Sequence, residues 1–525
     1  MELFTITLVK NGVKTSIKAK QGHSLMNALA DEDIYIPAMC GGKGTCGKCK
    51  VQLLKGALEI TGADRQAFSK DELKSGLRLS CTAYPSEDIT VKIDTNEESE
   101  FEAVTFFSKN TTATAPAGTK SSFSIAVDIG TTTIALALVD TANGEVLDNL
   151  TAVNKQRAYG ADVISRIQNA NEGKLTELTE TLRTQLIECI NRLCDNNAVN
   201  THDIQDIVIT ANTVMIHLLL GLSCETLGIA PFTPVTLEHI IKKSHEIFGE
   251  KLHGTVHILP GISTYVGADI TAGLYFSDFI HYEKPAVFLD IGTNGEIAVK
   301  KDGAIVCAAT AAGPAFEGGN ISNGTGSVVG AICEVRYDAK SAAMRNKPAF
   351  EIKTISGGKP IGICGSGVID IVAESLRQGL IDESGRLDEM YAKTGLEIAV
   401  TDEKSITFSQ KDIRELQLGK SAIRSGLDTL LAFAELEYDD IGRLFIAGGF
   451  GFHINIDNGI YIGLLPEELK SKITVIGNSS LGGAVKYLTQ GQSSDELSKI
   501  IKMSKEHSLP SDKLFSELYM ENMTF

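Results

Sequence analysis

The sequence lacks any run of 18 or more apolar residues, which is about the minimum for a membrane-spanning helix, so we expect no transmembrane segment. Its N-terminus has neither a basic region nor a small-residue cleavage site, and we therefore expect no secretory signal. A chain without these two features is expected to be soluble and cytoplasmic, with no membrane partner.

Two common nucleotide-binding motifs are also missing. No G-x-x-x-x-G-K-[ST] occurs, which excludes a P-loop protein. No G-x-G-x-x-G follows a predicted strand with an acidic residue beyond it, so a nicotinamide or flavin Rossmann domain is not supported. A nucleotide site in this chain would therefore need a different fold.

Basic side chains are outnumbered, 49 against 66 acidic ones, which gives a formal net charge of −17. Residues 1–95 carry 13 basic and 11 acidic side chains. The excess of acidic side chains therefore lies in the rest of the chain. So acidic a body disfavours nucleic acid as a partner. The composition is otherwise that of a globular protein, and 525 residues are enough for roughly two to four domains.

Four of the ten cysteines form a pattern, C-x5-C-x2-C followed by one distant cysteine. A [2Fe–2S] cluster takes four thiolates, commonly three from one loop and one from elsewhere. The loop is rich in glycines, which tolerate the positive φ angles that wrapping a cluster requires. We predict that the cluster ligands are Cys40, Cys46, Cys49 and Cys81. A zinc site and four unrelated cysteines are the alternatives, and the other six cysteines are expected to be small buried hydrophobes.

The first 95 residues resemble adrenodoxin-like and plant-type [2Fe–2S] ferredoxins in the order of the cysteines and in Leu79-Ser80-Cys81. The resemblance implies an α+β, ferredoxin-like β-grasp domain over residues 1–95. The local pattern agrees, because residues 4–8 and 13–17 alternate in polarity around an Asn-Gly pair, which is typical of a β-hairpin. Residues 96–122 are rich in Glu, Ser, Thr, Ala and Lys and predict a linker.

An apolar strand that ends in Asp-Ile-Gly-Thr occurs twice, at residues 124–132 and 287–294, with its aspartates 162 residues apart. The repeat predicts a duplicated α/β body with two lobes, residues 123–285 and 286–525. Each copy supplies a carboxylate, a turn glycine and hydroxyl donors, which suit phosphates bound with Mg²⁺. We predict that Asp128 and Asp290 position Mg²⁺ and water.

A third element, residues 443–451, is a strand that runs into a glycine pair, which lets a nucleoside approach the backbone closely. The predicted nucleotide-binding residues are Gly130, Thr131, Thr132, Gly292, Thr293, Asn294, Gly448 and Gly449. Residues 313–319 and 364–367 are also rich in glycine, and the second segment precedes a predicted helix over residues 368–378. An anion site and close helix–strand packing are both open explanations for these glycines. The order of these motifs resembles the actin/hexokinase-like superfamily, with its ribonuclease H-like fold.

The combination of modules resembles the reductive activators of corrinoid proteins. The resemblance is carried by the cysteine loop and by residues 127–133, 289–296, 313–318 and 446–451. No cysteine follows Cys364, which favours the [2Fe–2S] branch of that family.

The resemblance implies an ATP-hydrolysing enzyme that passes one electron from a [2Fe–2S] cluster to a corrinoid protein and reduces Co(II) to Co(I). It also implies a corrinoid partner from a methyltransferase or O-demethylase system, an external low-potential electron donor and a homodimer. Two other classes stay open: a small-molecule kinase with a fused redox sensor, and a ferredoxin-type electron shuttle that does not hydrolyse ATP.

Overall fold

The computed structural model describes most of the chain. The described residues are 3–10, 13–30, 32, 34, 36, 42, 44, 47, 49–93, 122–160, 162–345, 347–401, 405–449, 454–492 and 494–525. Within these ranges no helix is both long enough and apolar enough to cross a membrane. The predicted Asn11-Gly12 turn, Cys40, Cys46, residues 450–451 and all of the predicted linker except Ser122 lie outside the described residues.

The N-terminal part forms one five-stranded sheet with strand order β2-β1-β5-β3-β4. Its elements are β1 Leu3–Lys10, β2 Val13–Lys20, α1 Leu25–Ala30, β3 Lys50–Lys55, α2 Gly62–Ala67, α3 Lys70–Lys74, β4 Leu77–Leu79 and β5 Ile89–Lys92. The predicted hairpin is present, with Leu3 opposite Lys20. Alternation places Ile6 and Leu8 in a core that contains residues of this part alone. The N-terminal part therefore packs around its own core.

The body begins with a six-stranded sheet in the order β10-β11-β9-β6-β7-β8. Its strands are β6 Phe123–Ile129, β7 Thr133–Asp140, β8 Glu145–Val153, β9 Ile204–Ala211, β10 Ile240–Lys243 and β11 Thr255–Ile258. The helices of this region are α4 Val163–Asn169, α5 Leu175–Asn196, α6 Thr213–Leu220, α7 His245–Phe248 and α8 Ala268–Phe276. Strands β6, β7 and β8 form an antiparallel meander, and β9 and β11 continue the sheet in parallel with β6.

The second six-stranded sheet has the order β21-β20-β12-β13-β14-β22. Its strands are β12 Ala286–Ile291, β13 Gly295–Lys301, β14 Ala304–Thr310, β20 Arg443–Ala447, β21 Ile473–Gly477 and β22 Ser504–Glu506. An antiparallel meander is again followed by two strands parallel to its first strand. Five strands of each sheet therefore share one topology, as the repeated strand in the sequence predicts: β11-β9-β6-β7-β8 in the first sheet and β21-β20-β12-β13-β14 in the second. The sixth strands lie at opposite edges, β10 beside β11 and β22 beside β14.

The segment between β14 and β20 adds two small sheets and two long helices to the second half. Its elements are β15 Ala331–Tyr337, α9 Ala339–Arg345, β16 Phe350–Thr354, β17 Gly362–Ile363, α10 Gly365–Arg377, β18 Leu396–Val400, β19 Ser405–Phe408 and α11 Gln410–Phe433. The later helices of the body are α12 Ile456–Tyr461, α13 Ser479–Thr489, α14 Ser494–Met503 and α15 Lys513–Glu521. Buried residues of α10 and α11 share one apolar core with one face of the second sheet.

Helix α13 connects the two halves of the body. It packs against α8, β6 and β9, although its residues fall in the range predicted for the second lobe. The approach to α8 is close, because a Cβ added at Gly483 would lie 2.2 Å from the Ala272 carbonyl oxygen. This packing places the start of α13 beside the carboxyl end of β6.

Candidate functional site

Cys49 and Cys81 are brought together by the pairing of β3 with β4. Lys50 lies opposite Leu79, and the Ser80 amide donates a hydrogen bond to the Cys49 carbonyl oxygen at 2.8 Å. The two Sγ atoms lie 3.2 Å apart, and both side chains are buried. A disulfide bond would be about 2.05 Å long, so the two sulfurs are free thiols.

Two glycines of the cysteine loop lie close to Cys81 and its neighbour. Gly42 and Gly44 have φ angles of +86° and +74°, which glycine adopts most readily. A Cβ on Gly44 would lie 3.0 Å from the Thr82 methyl group, so the loop passes next to the residue after Cys81. The side-chain hydrogen bond between Cys49 and Cys81 is the main cause that lowers the pKa of Cys49 to about 6.

A thiol with this pKa is largely thiolate at neutral pH, which is the form that binds iron. The described residues therefore fit two of the four predicted ligands of a [2Fe–2S] cluster.

The first Asp-Ile-Gly-Thr loop turns tightly after β6. The Gly130 amide donates to the Thr133 carbonyl oxygen at 2.9 Å. Two asparagines hold this turn from outside: Asn154 Nδ2 donates to the Gly130 carbonyl oxygen at 2.9 Å, and Asn212 Nδ2 donates to Thr131 Oγ1 at 3.0 Å. The loop hydroxyls are thus positioned by side chains that come from the ends of β8 and β9.

Arg166, on α4, lies fully buried beneath the same loop. Its Nη2 donates to the Thr131 carbonyl oxygen at 2.5 Å, and its Nε donates to the Gly160 carbonyl oxygen at 2.9 Å. Burial lowers the pKa of the guanidinium, but an arginine remains protonated at neutral pH. The loop therefore rests on a buried positive charge, which favours a bound anion.

The second Asp-Ile-Gly-Thr loop, after β12, is one residue shorter than the first and is closed by the Gly292 amide, which donates to the Asn294 carbonyl oxygen at 2.9 Å. A single carboxylate joins the two loops. Oε2 of Glu317 accepts hydrogen bonds from Thr132 Oγ1 at 3.0 Å and from Thr293 Oγ1 at 2.8 Å. The structure therefore brings both predicted phosphate loops to one place.

Four further carboxyl groups surround the point where the loops meet. Burial is the main reason why the pKa of each one is raised. The pKa of Asp290 rises to about 8 and that of Asp269 to about 7, while those of Asp128 and Glu296 also rise. Negative charge on Asp269 and Asp128 raises the pKa of Asp290 further. Repulsion of this kind is relieved by a bound cation.

Asp128 is oriented by the start of α13. Its two carboxylate oxygens accept hydrogen bonds from Asn478 Nδ2 at 3.0 Å and from Ser480 Oγ at 2.7 Å. Within the described ranges no group of three or more His, Cys, Asp or Glu side chains is arranged to hold a metal ion directly. Carboxylate oxygens and retained waters are the ligands that Mg²⁺ prefers in proteins, and Asp128 and its neighbouring carboxyls are the groups at this site that could hold such an ion through water.

The two predicted nucleoside-binding glycines differ in their surroundings. A Cβ on Gly448 would lie 2.8 Å from Asp290 Oδ1 and 2.4 Å from the Ile291 carbonyl oxygen. No atom of the described residues would lie within 4 Å of a Cβ on Gly449. Gly448 therefore backs directly onto the second loop, while Gly449 faces open space that a ligand could fill.

Several residues at this site were missed by sequence reasoning: Asn154, Arg166, Asn212, Asp269, Glu296, Glu317, Asn478 and Ser480. Glu296 and Glu317 lie inside segments that carried the family resemblance, so their acidity next to glycines was an available signal. Arg166 gave no such signal, because arginines are mostly exposed.

Family models match three consecutive parts of the chain. Residues 8–86 match the 2Fe-2S iron-sulfur cluster binding domain, residues 123–282 match the RACo middle region, and residues 284–525 match the C-terminal domain of RACo, the ASKHA domain. The predicted ferredoxin domain followed by an actin/hexokinase-like body is thereby confirmed.

Several known proteins can be aligned with most of this chain. The corrinoid activation enzyme RamQ of Eubacterium limosum is 33% identical over 426 residues, which are 77% of this chain and 70% of that protein. A reductase of the Co(II) methylated amine-specific corrinoid protein from Methanosarcina barkeri is 26% identical over 77% of both chains. A solved structure titled as a reductive activator for corrinoid, iron-sulfur protein covers 99% of this chain and 98% of its own, at 27% identity and a TM-score of 0.72. The chain therefore belongs to the family of reductive activators of corrinoid proteins that the RACo models describe.

Proposed function

We propose that this chain uses ATP to drive one electron from a [2Fe–2S] cluster onto a corrinoid protein, reducing Co(II) to Co(I). The observation that carries the proposal is the match over 99% of the chain to a reductive activator for corrinoid, iron-sulfur protein, a match that includes both the cysteine site and the two joined phosphate loops. The partner would be a corrinoid protein of a methyltransferase or O-demethylase system, and a low-potential donor would reload the cluster.

On the N-terminal part, Cys40, Cys46, Cys49 and Cys81 would hold the cluster. When bound, a [2Fe–2S] cluster supplies one electron at low potential. Cys49 and Cys81 are buried, which keeps water away from their sulfurs, and the pKa of Cys49 near 6 keeps it ready to bind iron. We place the protein in the cytoplasm, because reduced thiols persist there.

On the body, the hydroxyls of Thr132 and Thr293 would bind phosphate oxygens, and Arg166 would supply positive charge beneath the first loop. Asp128 and Asp290 would hold Mg²⁺ through water and orient the water that attacks the terminal phosphate. Gly449 would admit the nucleoside. ATP hydrolysis then consists of water attacking phosphorus, with the ADP oxygen as leaving group.

Energy explains why both sites occur in one chain. Delivering an electron roughly 200 mV uphill costs about 4–5 kcal/mol. ATP can supply this only through two states of the body that bind the partner differently. We propose that closure of the two sheets around the nucleotide is that change, and that the protein acts as a homodimer.

The decisive experiment is anaerobic reduction of a purified Co(II) corrinoid protein by the reconstituted chain and a chemical reductant. Co(I) should form, as seen in its absorption spectrum, only when ATP and Mg²⁺ are both present. The variant Asp290→Asn should bind its cluster normally yet form Co(I) at a rate at least ten times lower.

The outcomes separate the competing classes. A stoichiometric phosphorylated small molecule would identify a kinase instead. Electron transfer at an unchanged rate in Asp290→Asn would identify a shuttle that does not need ATP. An ATPase rate that ignores every corrinoid protein offered, together with no Co(I), would refute the proposal.

A further inference from the structure

Glu317 makes the same hydrogen bonds that a nucleotide phosphate would need. Its Oε2 accepts from Thr132 Oγ1 at 3.0 Å and from Thr293 Oγ1 at 2.8 Å. These threonines belong to the two Asp-Ile-Gly-Thr loops, one in each sheet of the body. A carboxylate oxygen with two hydroxyl donors has the charge and the acceptor geometry of a phosphate oxygen.

The backbone around Glu317 is held firmly in the second half of the body. Residues Pro314–Glu317 form one short 3-10 turn, and Phe316 within it is 1% exposed. Phe316 packs against α11 so closely that a Cβ on Gly419 would lie 2.9 Å from its ring. Glu317 therefore moves with the second sheet, and its bond to Thr132 is the one that crosses between the two sheets.

Carboxyl groups crowd the space beside Glu317. Asp128, Asp269 and Asp290 lie near enough to affect one another's ionisation, and Glu317 adds to the charge acting on Asp290. A polyphosphate could not bind to Thr132 and Thr293 while Glu317 occupies their hydroxyls. The Glu317 carboxylate and a bound phosphate therefore exclude each other, because they would occupy the same space and both carry negative charge.

We propose that Glu317 is a latch: its carboxylate occupies a phosphate position and ties the two Asp-Ile-Gly-Thr loops together until the polyphosphate of the nucleotide displaces it. The inference rests on the proposed nucleotide site. Displacement breaks the link to Thr132 and frees both threonine hydroxyls for the phosphates, while the packing of α13 on α8, β6 and β9 still holds the two halves of the body together. The nucleotide then bridges the two loops in place of Glu317, and the sheets close around it.

The test compares two substitutions in the full chain, Glu317→Gln and Glu317→Asp. Glutamine removes the charge, whereas aspartate keeps the charge but is one methylene too short to reach both threonines. Titration calorimetry with a non-hydrolysable ATP analogue and Mg²⁺ should show about tenfold tighter binding for both variants, because a charged hydrogen-bond acceptor no longer competes. Glu351→Gln, at an exposed position on β16, is the matched control and should bind like the wild type.

Hydrogen exchange gives a second readout that needs no nucleotide. In the free protein, the amides of residues 130–133 and 292–295 should exchange faster in both Glu317 variants than in the wild type. Unchanged exchange together with unchanged or weaker binding would overturn the latch. Tighter binding in Glu317→Gln alone would also overturn it, since simple charge repulsion would then be the cause. If no variant binds nucleotide, the proposed function fails, and the exchange data still decide the latch.

Discussion

The Asp128 carboxylate, at the end of β6, accepts a hydrogen bond from the Ser480 hydroxyl at 2.7 Å across 352 residues of sequence. Its other oxygen accepts from Asn478 Nδ2 at 3.0 Å. Both donors belong to the first residues of one helix, α13. The orientation of the Asp128 carboxylate therefore depends on the position of α13. A shift of that helix would rotate this carboxylate at the proposed nucleotide site.

Removal of the Ser480 hydroxyl should weaken nucleotide binding. In Ser480→Ala the Asp128 carboxylate loses a charge-assisted hydrogen bond worth about 1.5–3 kcal/mol and is free to rotate. We expect affinity for Mg²⁺ and ATP to fall at least about tenfold, as measured by titration calorimetry. Ser516→Ala, at an exposed position on α15, is the control. Equal affinities for the two variants would show that Ser480 does not orient Asp128.

Arg166 should be needed both for folding and for the first phosphate loop. Arg166→Met would leave the carbonyl oxygens of Thr131 and Gly160 without their donors. We expect the free energy of unfolding in urea to fall by at least about 3 kcal/mol, since each of these hydrogen bonds involves a charged group.

A second variant, Arg166→Lys, separates the effect of the charge from that of the hydrogen-bond geometry. It restores the charge, but a lysine cannot donate in two fixed directions. Arg166→Lys should bind nucleotide more tightly than Arg166→Met, yet its free energy of unfolding should remain below that of the wild type. Full stability in the lysine variant would mean that the forked geometry does not matter.

The sequence predicted those parts of the site that are contiguous along the chain. Each Asp-Ile-Gly-Thr loop follows its own apolar strand, so its turn is decided by neighbouring residues, and both strands were found at the expected places. Glu317, Arg166 and Ser480 reach the site from distant segments. Their partners become known only when the sheets are assembled, and no local pattern distinguishes a buried arginine from the exposed ones that are more common.

The start of a helix is also hard to predict from local sequence alone. The glycine-rich segment 364–367 was predicted to precede a helix from residue 368, but α10 already begins at Gly365. Tertiary packing allows glycines in its first turn, because a Cβ on Gly367 would lie 2.4 Å from the Ile332 carbonyl oxygen. Close helix–strand packing therefore accounts for the glycine at residue 367.

The neighbouring glycines 448 and 449 should respond differently to the same substitution. Gly448→Ala would force a Cβ against Asp290 and Ile291 at a φ of +95°, so we expect a loss of thermal stability as well as of ATP affinity. Gly449→Ala meets open space and should leave the melting temperature unchanged while reducing nucleotide affinity. If Gly449→Ala binds ATP like the wild type, the nucleoside does not approach that residue.

The raised carboxyl pKa values predict how stability depends on pH without metal. The folded chain keeps the Asp290 proton up to a pKa of about 8, whereas the unfolded chain loses it near about 4. Folded protein then binds more protons between these values, so this stabilising contribution is complete below about pH 4 and is lost as the pH rises to about 8.

In a chelating buffer, the melting temperature should therefore fall as the pH is raised from about 5 to about 8, and Asp290→Asn should show a smaller fall. Glu351→Gln should behave like the wild type. Identical slopes for Asp290→Asn and the wild type would show that Asp290 does not titrate in this range.

The two sites should be separable by a single cysteine substitution. Cys81→Ser removes a predicted ligand in the N-terminal part, whose core contains no residue of the body. We expect the iron content and the visible absorption after anaerobic reconstitution to be lost, while ATP binds with unchanged affinity, because the body folds around other cores. Cys333→Ser, a half-buried thiol outside the pattern, should keep both properties. A coloured Cys81→Ser protein would remove Cys81 from the ligand set, since a cluster of this type depends on all four thiolates.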